Sequence, residues 1–267
     1  MADVVVAGAA GRMGRRLVAL LQESEDLRLV GALEAPGHAS IGHDAGELAG
    51  VGGLGVPVSA DPEAVLRKDR ILTEFSVPEA TLAHLRLVAR HGGRAVIGTT
   101  GFSSDQRAEI ERLGKQAPLL LSPNMSVATN VAFWVLGQMA QRLGDDYDVE
   151  ITEIHHRFKK DAPSGTALRM AEIVAQALGR DLAQTAVYGR QGVPGERTRQ
   201  EIGVFSMRSG DAVGEHTVTF GTLGERLELT HRAFSRDTFA RGALRATRFI
   251  ATAPPGLYSM QDVLGLV

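Results

Sequence analysis

Short apolar runs alternate with helically spaced apolar positions along the first half of the chain. Residues 4–7 form an apolar run that predicts a buried strand, residues 15–22 carry leucines at helical spacing, and residues 27–33 predict a second strand. The remaining elements of this half are predicted strands at 71–75, 95–98 and 119–121 and predicted helices at 78–91 and 104–115. Such alternation is typical of an α/β fold with a parallel sheet covered on both faces.

The pattern changes after residue 122. A long apolar helix is predicted over residues 127–143. Period-two alternation then predicts strands at 148–154, 201–207, 215–220 and 226–230, with helices at 166–178 and 239–251. Leu223 and Gly224 suit a hairpin turn between the last two strands. We therefore expect a second, α+β half with a mixed or antiparallel sheet and helices on one side.

Composition narrows the class of protein. The chain has 267 residues, a formal net charge of −2 and no cysteine, which excludes disulfides, thiolate metal sites and a cysteine nucleophile. The charge balance gives no signal for nucleic acid or a membrane. The first residues lack the basic segment of a secretory signal, and the longest apolar stretch, residues 127–140, is too short to span a bilayer. A reducing cytoplasm is compatible with this composition.

A glycine-rich turn follows the first strand. Gly8, Gly11 and Gly14 are spaced G-x-x-G-x-x-G rather than the commoner G-x-G-x-x-G, and a helix begins directly after them. Glycines let the main chain approach a pyrophosphate, and the helix directs its N–H groups at it. Glu34 ends the second strand, about 20 residues on, where it could bind a ribose diol. We predict a dinucleotide site; a tight turn without a ligand is the alternative.

Two later loops favour the same site. Residues 98–101, Gly-Thr-Thr-Gly, follow one predicted strand, and residues 122–125, Ser-Pro-Asn-Met, follow another. Because ligands of open α/β sheets bind beyond the carboxyl ends of the strands, we expect both loops to face one crevice. Each could also be an ordinary loop rich in turn-forming residues.

A basic stretch leads into the helix predicted at 166–178. Two adjacent histidines, an arginine and two lysines lie within residues 155–160, a turn follows at 161–163, and Ser-Gly-Thr at 164–166 opens the helix. Cations beside a helix N-terminus can bind a small multi-anion, and a histidine there can transfer a proton near neutral pH. Taken alone, the charge run also fits a solvated loop.

Six further histidines have no partner that the sequence reveals. They are His38, His43, His84, His91, His216 and His231. We expect them to be surface or packed histidines and expect no metal site.

Five segments together resemble the dihydrodipicolinate reductase family in order and spacing. They are residues 6–14, 74–79, 96–102, 124–127 and 153–168. The resemblance implies a Rossmann-type domain of residues 1–126 plus 236–267 and a substrate-binding and tetramerisation domain of residues 127–235. It also implies reduction of 4-hydroxy-tetrahydrodipicolinate (dihydrodipicolinate) to tetrahydrodipicolinate with NADH or NADPH, in the diaminopimelate route to lysine, by a cytoplasmic homotetramer.

The same resemblance implies a role for each matching residue. His155 would be the general acid or base and Lys159 the proton donor, while His156, Gly165 and Thr166 would contact the substrate. The implied cofactor-binding residues are Gly8, Ala9, Ala10, Gly11, Arg12, Met13, Glu34, Gly98, Thr99, Thr100, Ser122, Pro123, Asn124 and Met125. No role follows for Arg157 or Lys160, which suit solvated charges.

The chain departs from the family pattern at two positions. Ala35 stands where many members have an arginine that can hold a 2′-phosphate, which leaves Arg12 as the nearest cation. We therefore expect NADH to be used at least as well as NADPH. Val77 also replaces a frequent arginine, which puts cofactor contacts from that loop in doubt. Two other functions stay open: reduction of a different small amino-acid-like acid, and non-catalytic dinucleotide sensing.

Overall fold

In the computed structural model, which describes residues 1–266, strands occur in both halves of the chain. They are β1 (Ala2–Ala7), β2 (Leu27–Leu33), β3 (Val58–Ser59), β4 (Ile71–Glu74), β5 (Arg94–Ile97), β6 (Pro118–Leu121), β7 (Asp148–His155), β8 (Ala186–Val187), β9 (Ile202–Arg208), β10 (Gly214–Thr222), β11 (Glu225–Ala233) and β12 (Gly256–Tyr258).

The helices follow the same order. They are α1 (Arg12–Gln22), α2 (Ala45–Ala49), α3 (Pro62–Val65), α4 (Pro78–His91), α5 (Ser104–Gly114), α6 (Val127–Leu143), α7 (Gly165–Ala177), α8 (Leu182–Thr185), α9 (Asp237–Ile250) and α10 (Met260–Leu264), with a 3₁₀ turn at Gly144–Asp146. No helix within residues 1–266 is long and apolar enough to cross a membrane.

The chain folds into two compact units. The first comprises Met1–Val127 and the segment that begins at Asp237, and the second comprises Ala128–Arg236. Each unit has its own sheet and its own core.

The first unit contains a parallel sheet of seven strands in the order β12-β6-β5-β4-β1-β2-β3. One face packs on α1 and α9, with Leu17, Leu20 and Leu244 in its core. The other face packs on α4 and α5 through Leu85 and Ile110. The predicted doubly covered parallel sheet is confirmed, and burial on both faces explains why its strands are almost entirely apolar.

The second unit contains a mixed sheet of five strands in the order β11-β10-β7-β9-β8. Strand β7 runs parallel to β9 and antiparallel to β10. The predicted hairpin is confirmed, since Thr222 pairs with Glu225 across Leu223 and Gly224. Helices α6 and α7 cover one face of the sheet around Leu136, Met170 and Val174.

The shortest elements escape the sequence patterns. Residues 35–60, for which the sequence predicts no strand or helix, contain α2 and β3. Asp44 organises this segment, because its carboxylate accepts main-chain hydrogen bonds from Gly46, Glu47, Leu54 and Val56. Elements of two to five residues are too short to show a hydrophobic period, and a cap such as Asp44 is the signal that would have located α2.

Candidate functional site

Two of the three glycines of the first turn, Gly8 and Gly14, are required by how closely the main chain packs there. Gly8 has φ +71°, a conformation that residues with a side chain rarely adopt. The N–H of Gly11 donates to the carbonyl of Gly8 at 3.0 Å. A Cβ on Gly14 would lie 2.1 Å from the Gly8 oxygen and 2.6 Å from Cα of Ala9. At Gly8 and Gly14 the turn can therefore present only main chain to a ligand.

Helix α1 begins directly after this turn without a side-chain cap. Gly11 occupies the N-cap position and makes no side-chain hydrogen bond, and Arg12 is exposed. Uncapped N–H groups at the positive end of a helix of eleven residues are suited to bind a phosphate group.

Glu34 lies against the turn. One carboxylate oxygen accepts the N–H of Ala10 at 2.8 Å and the other accepts the N–H of Ala35 at 3.3 Å. A cleft of about 620 Å³ opens beside it, and Gly8, Ala10 and Gly11 are among its walls. The cleft lies where the strand order reverses, since β1 has β2 on one side and β4 on the other.

The cleft also has walls outside the predicted cofactor residues, among them Val77, from whose loop the sequence puts cofactor contacts in doubt. They include Leu33, Pro36, His38, Ala60, Phe75, Ser76, Val77, Ala80 and His84. His84 has a partner after all, since its Nδ1 lies 2.6 Å from Oε2 of the fully buried Glu74, which also accepts the N–H of Ser76. The position directly after β4 is the signal that could have found Phe75 and Ser76 in the same loop as Val77.

The other predicted cofactor residues do not line this cleft. Gly98 follows β5, and a Cβ on Gly98 would lie 2.1 Å from the ring of Phe75. Ser122 follows β6 and donates to the carbonyl of Asn124 at 2.8 Å. The structure thus places residues 98–100 and 122–125 at the carboxyl ends of neighbouring strands.

Several of the predicted cofactor residues have side chains that are buried or that pack against a core. Ala9 and Met125 are buried, and Met13 packs against the same core. Thr99 is buried as well and accepts a hydrogen bond from the hydroxyl of Thr81 at 2.9 Å. Ala9 and Met125 could therefore contact a cofactor only through their main chains, whereas the side chain of Met13 is half-buried.

In the second unit, the buried face of β7 is apolar at the start of the strand and polar at its end. The buried positions alternate as Val149, Ile151, Glu153 and His155. The first two belong to the core around α7, and the last two are polar. The apolar end of the strand thus anchors a polar site at its carboxyl end.

Glu153 is fully buried and surrounded by donors. It contacts Nδ1 of His155, accepts from Nη1 of Arg208 at 3.0 Å to each oxygen, and accepts the N–H of Ser164 at 3.2 Å. Burial alone would raise the pKa of Glu153, but hydrogen bonds from Ser206, His155 and Arg208 outweigh it and hold the pKa below its ordinary value. The carboxylate is therefore ionised at neutral pH.

His155 lies in the same buried row. Burial lowers its pKa below the ordinary value, against the opposing effect of the Glu153 carboxylate. The imidazole is thus mostly neutral at neutral pH and a good acid once protonated.

His216 lies beside His155, with ring centroids 5.1 Å apart and an edge-to-face arrangement. Its Nε2 is 3.1 Å from the hydroxyl of Ser164. Burial, followed by the charge of His155, lowers the pKa of His216 to about 3. The expectation of a packed histidine holds for its burial, but its contact with the basic stretch was not visible in the sequence.

The basic stretch separates into paired and exposed cations. Nζ of Lys159 donates to both carboxylate oxygens of Asp161 at 2.8 Å. Arg157 and Lys160 are exposed. His156 is half-buried, and among the described residues its Nδ1 has no hydrogen-bond partner.

Helix α7 begins at the end of this stretch. Ser164 is its N-cap and accepts the N–H of Ala167 at 3.1 Å, so that Gly165 and Thr166 form the first turn. A Cβ on Gly165 would meet no atom within 4 Å. In this unit the structure brings His155 and the start of α7 together around Glu153, which contacts His155 and accepts the N–H of Ser164.

Two family models match the chain. The description "Dihydrodipicolinate reductase, N-terminus" matches residues 2–125, and "Dihydrodipicolinate reductase, C-terminus" matches residues 128–264. The chain belongs to the dihydrodipicolinate reductase family. The resemblance seen in the sequence is thereby confirmed.

Relatives in this family extend over the whole chain. Proteins named 4-hydroxy-tetrahydrodipicolinate reductase from Citrifermentans bemidjiense and Geobacter sulfurreducens are 52% and 51% identical over 266 residues, covering 100% of each chain. That of Syntrophus aciditrophicus is 49% identical over 265 residues, covering 99% of each chain.

Solved structures agree on the fold. A dipicolinate-bound dihydrodipicolinate reductase from Paenisporosarcina sp. TG-14 has a TM-score of 0.74 at 23% identity and covers 98% of each chain. An amine dehydrogenase from Mycobacterium smegmatis has a TM-score of 0.58 at 17% identity, covering 97% of this chain and 95% of its own. At these identities the likeness establishes the fold alone.

The family's C-terminal model does not coincide with the second unit. It runs to residue 264 and so includes α9, yet Ala240, Ala243 and Leu244 of that helix lie in the core of the first unit.

Among the described residues, no group of three or more histidine, aspartate or glutamate side chains could hold a metal ion.

Proposed function

We propose that this chain is a 4-hydroxy-tetrahydrodipicolinate reductase, which uses a reduced pyridine nucleotide to form tetrahydrodipicolinate in the diaminopimelate route to lysine. The observation that carries the proposal is identity of about half, over the full length, to reductases of that name. The cleft beside the glycine turn and the polar region of the second unit support the proposal.

The first unit fits a dinucleotide. The glycine turn brings main chain to the cleft, α1 begins there without a side-chain cap, and Glu34 presents a carboxylate beside both. We assign the pyrophosphate to the turn from Gly8 to Met13 and the ribose diol to Glu34. Residues 98–100 and 122–125, at the ends of β5 and β6, would hold the nicotinamide side. The bound nucleotide would supply hydride.

The second unit fits a small dicarboxylate. Two carboxylates require cations and oriented N–H groups, which the basic stretch and the start of α7 provide. We assign one carboxylate to Gly165 and Thr166 and a further contact to His156, whose buried Nδ1 has no partner in the described chain.

Proton delivery falls to His155 and Lys159. Addition of hydride to an unsaturated carbon leaves negative charge on the conjugated nitrogen system of the substrate. A protonated His155 or the ammonium of Lys159 can neutralise that charge by donating a proton. Lys159 must leave the carboxylate of Asp161, to which it donates twice. Because Asp161 is largely exposed, solvent can take the place of the lysine at its carboxylate.

The test is oxidation of reduced nicotinamide on addition of the condensation product of pyruvate and aspartate semialdehyde. We expect rapid turnover with this substrate and none with pyruvate or the semialdehyde alone. Turnover of a different small imine or keto acid in its place would contradict the proposal, as would nucleotide binding without any reduction.

We further propose that NADH is used at least as well as NADPH. Glu34 places a carboxylate at the ribose position, where it would repel a 2′-phosphate, and Ala35 supplies no cation to offset it. The test compares kcat/KM for the two cofactors in the unaltered enzyme and in Ala35→Arg. We expect the substitution to raise the NADPH value about 10-fold, and a strong NADPH preference before substitution would refute the assignment.

Assembly as a homotetramer is a further proposal. Among the described strands β11 pairs with β10 alone, so that its outer edge offers main-chain groups to another subunit, and Leu227 on it is 48% exposed. Light scattering on the protein as it elutes from a size-exclusion column should give four times the mass of the chain. The mass of a monomer would refute the proposal.

A cytoplasmic location stays a prediction, which cell fractionation would test.

A further inference from the structure

Glu153 is the most buried charged group of the polar region in the second unit, and the proposed reaction gives it no role. Its exposed fraction is 0%, although an unpaired carboxylate in such a position would be strongly unfavourable. It is compensated by Arg208, by the N–H of Ser164 and by His155. Three donors from three different parts of the chain converge on this one carboxylate.

The contact with His155 determines where the imidazole carries its hydrogen. An ionised carboxylate has no hydrogen to donate, so Nδ1 of His155 must be the donor in this pair. Nε2 is then the position left for proton exchange. An imidazole that donates from one nitrogen to a carboxylate has a fixed tautomer and a fixed ring orientation.

We propose that Glu153 is a positioning residue, which holds His155 with its hydrogen on Nδ1 so that Nε2 alone delivers the proton to the substrate. The inference rests on the acid–base role of His155 proposed above and assigns the residue through which that role is set. The proton leaves Nε2, and the electron pair of the N–H bond remains on the neutral imidazole.

The surroundings of His155 restrict the ring from several sides. On β9, Arg208 fixes the carboxylate and also donates to the carbonyl of Asp161 at 2.6 Å. On β10, a Cβ at Gly214 would lie 3.0 Å from Nε2, a tight contact that glycine avoids. The charged and titratable groups that face the ring are Glu153, Lys159, Arg208 and His216.

A purely structural role for Glu153, as the partner of Arg208, makes a different prediction. It would affect folding stability and leave the pH dependence of the folded enzyme unchanged. A positioning role affects the proton transfer itself, because Glu153 opposes the lowering of the pKa of His155.

The decisive variant is Glu153→Gln, which keeps the shape but removes the negative charge, and whose amide can place either its oxygen or its N–H group against Nδ1. We expect kcat to fall by about 10²- to 10⁴-fold while the Kd for NADH stays within about twofold. Because His155 acts as an acid, kcat falls as pH rises through its pKa, and loss of the carboxylate moves this limb to lower pH. Glu153→Asp, which restores a carboxylate, should recover part of kcat. Glu172→Gln, an exposed position on α7, is the matched control and should change neither quantity.

The proposal would be overturned if folded Glu153→Gln kept both the kcat of the unaltered enzyme and the pH at which kcat falls. A measurement on the unaltered enzyme covers the case in which the variant does not fold. Nitrogen-15 spectra of histidine-labelled protein, assigned with His155→Gln, should show neutral His155 with its hydrogen on Nδ1; a hydrogen on Nε2 would overturn the proposal. If the enzyme reduces no dihydrodipicolinate, the proposed function fails, and these spectra still decide the tautomer.

Discussion

The glycine turn of the first unit is formed by main-chain groups, and the histidine site of the second unit is formed by side chains. The turn is a main-chain device, in which Gly8 and Gly14 admit no side chain and the ligand would meet N–H groups. The histidine site is made of side chains, with His155 held by Glu153 and Glu153 held by Arg208. The first can be damaged by adding a single methyl group, and the second by removing a charge or a proton.

The difference also separates binding from chemistry. Main-chain N–H groups do not titrate near neutral pH, so the turn should bind its ligand over a wide pH range. The histidine site contains His155 and His216, whose pKa values are both lowered, chiefly by burial. The pH dependence of the enzyme should therefore arise in the second unit.

The largest effect should follow Lys159→Ala, which removes the proposed proton donor. Loss of a general acid typically costs about 10²- to 10⁴-fold in rate, and we expect this loss in kcat with the Kd for NADH unchanged. Lys160→Ala is the control, since that side chain is exposed one position away. Steady-state kinetics with cofactor titration separate the two quantities, and a normal kcat in Lys159→Ala would remove the assigned role.

A smaller effect should follow Gly14→Ala in the other region. Alanine would favour helix α1 by about 1 kcal/mol, but its Cβ would meet the Gly8 carbonyl at 2.1 Å, and this main-chain clash should dominate. We expect the Kd for NADH to rise at least about 10-fold, equivalent to about 1.4 kcal/mol. Calorimetric titration measures it.

Gly137→Ala provides the matched control for that substitution. Gly137 also lies within a helix, but a Cβ there would be 3.5 Å from Ile173, an ordinary contact. We expect unchanged cofactor binding and equal or greater stability. Equal binding in both alanine variants would mean that the turn does not hold the cofactor.

The sequence predicted the two sites unequally because of how their parts are distributed. The glycine turn and Glu34 belong to one βαβ unit, so local spacing was sufficient to find them. The basic stretch was equally local. Its supports were not, since Arg208 and His216 lie on strands more than fifty residues away, and only the sheet register places them beside Glu153 and His155.

Glu153 itself could have been predicted. In the strand over residues 148–155, period two places Val149 and Ile151 inward, and the same period continues to Glu153 and His155. Its partners could not, because neither the strand order β10-β7-β9 nor the pairing of Glu153 with Ser206 and His216 follows from any local pattern.

The smallest effect should appear in the pH dependence of stability. The pKa of His216 is about 3 in the folded chain, against 6.5 for an unperturbed histidine. As pH falls below about 6.5, the unfolded chain binds this proton and the folded chain does not, so acid favours unfolding by about 1.4 kcal/mol per pH unit. His216→Gln should remove that part of the slope between about pH 6.5 and 5, above the range in which carboxylates titrate. Part of the slope should remain, because burial also lowers the pKa values of His155 and His231.

Urea unfolding at each pH measures the slope, with exposed His43→Gln as the control. A slope as steep in His216→Gln as in the unaltered chain would show that His216 takes up its proton without unfolding, and the contrast between a titrating and a non-titrating region would then rest on His155 and His231.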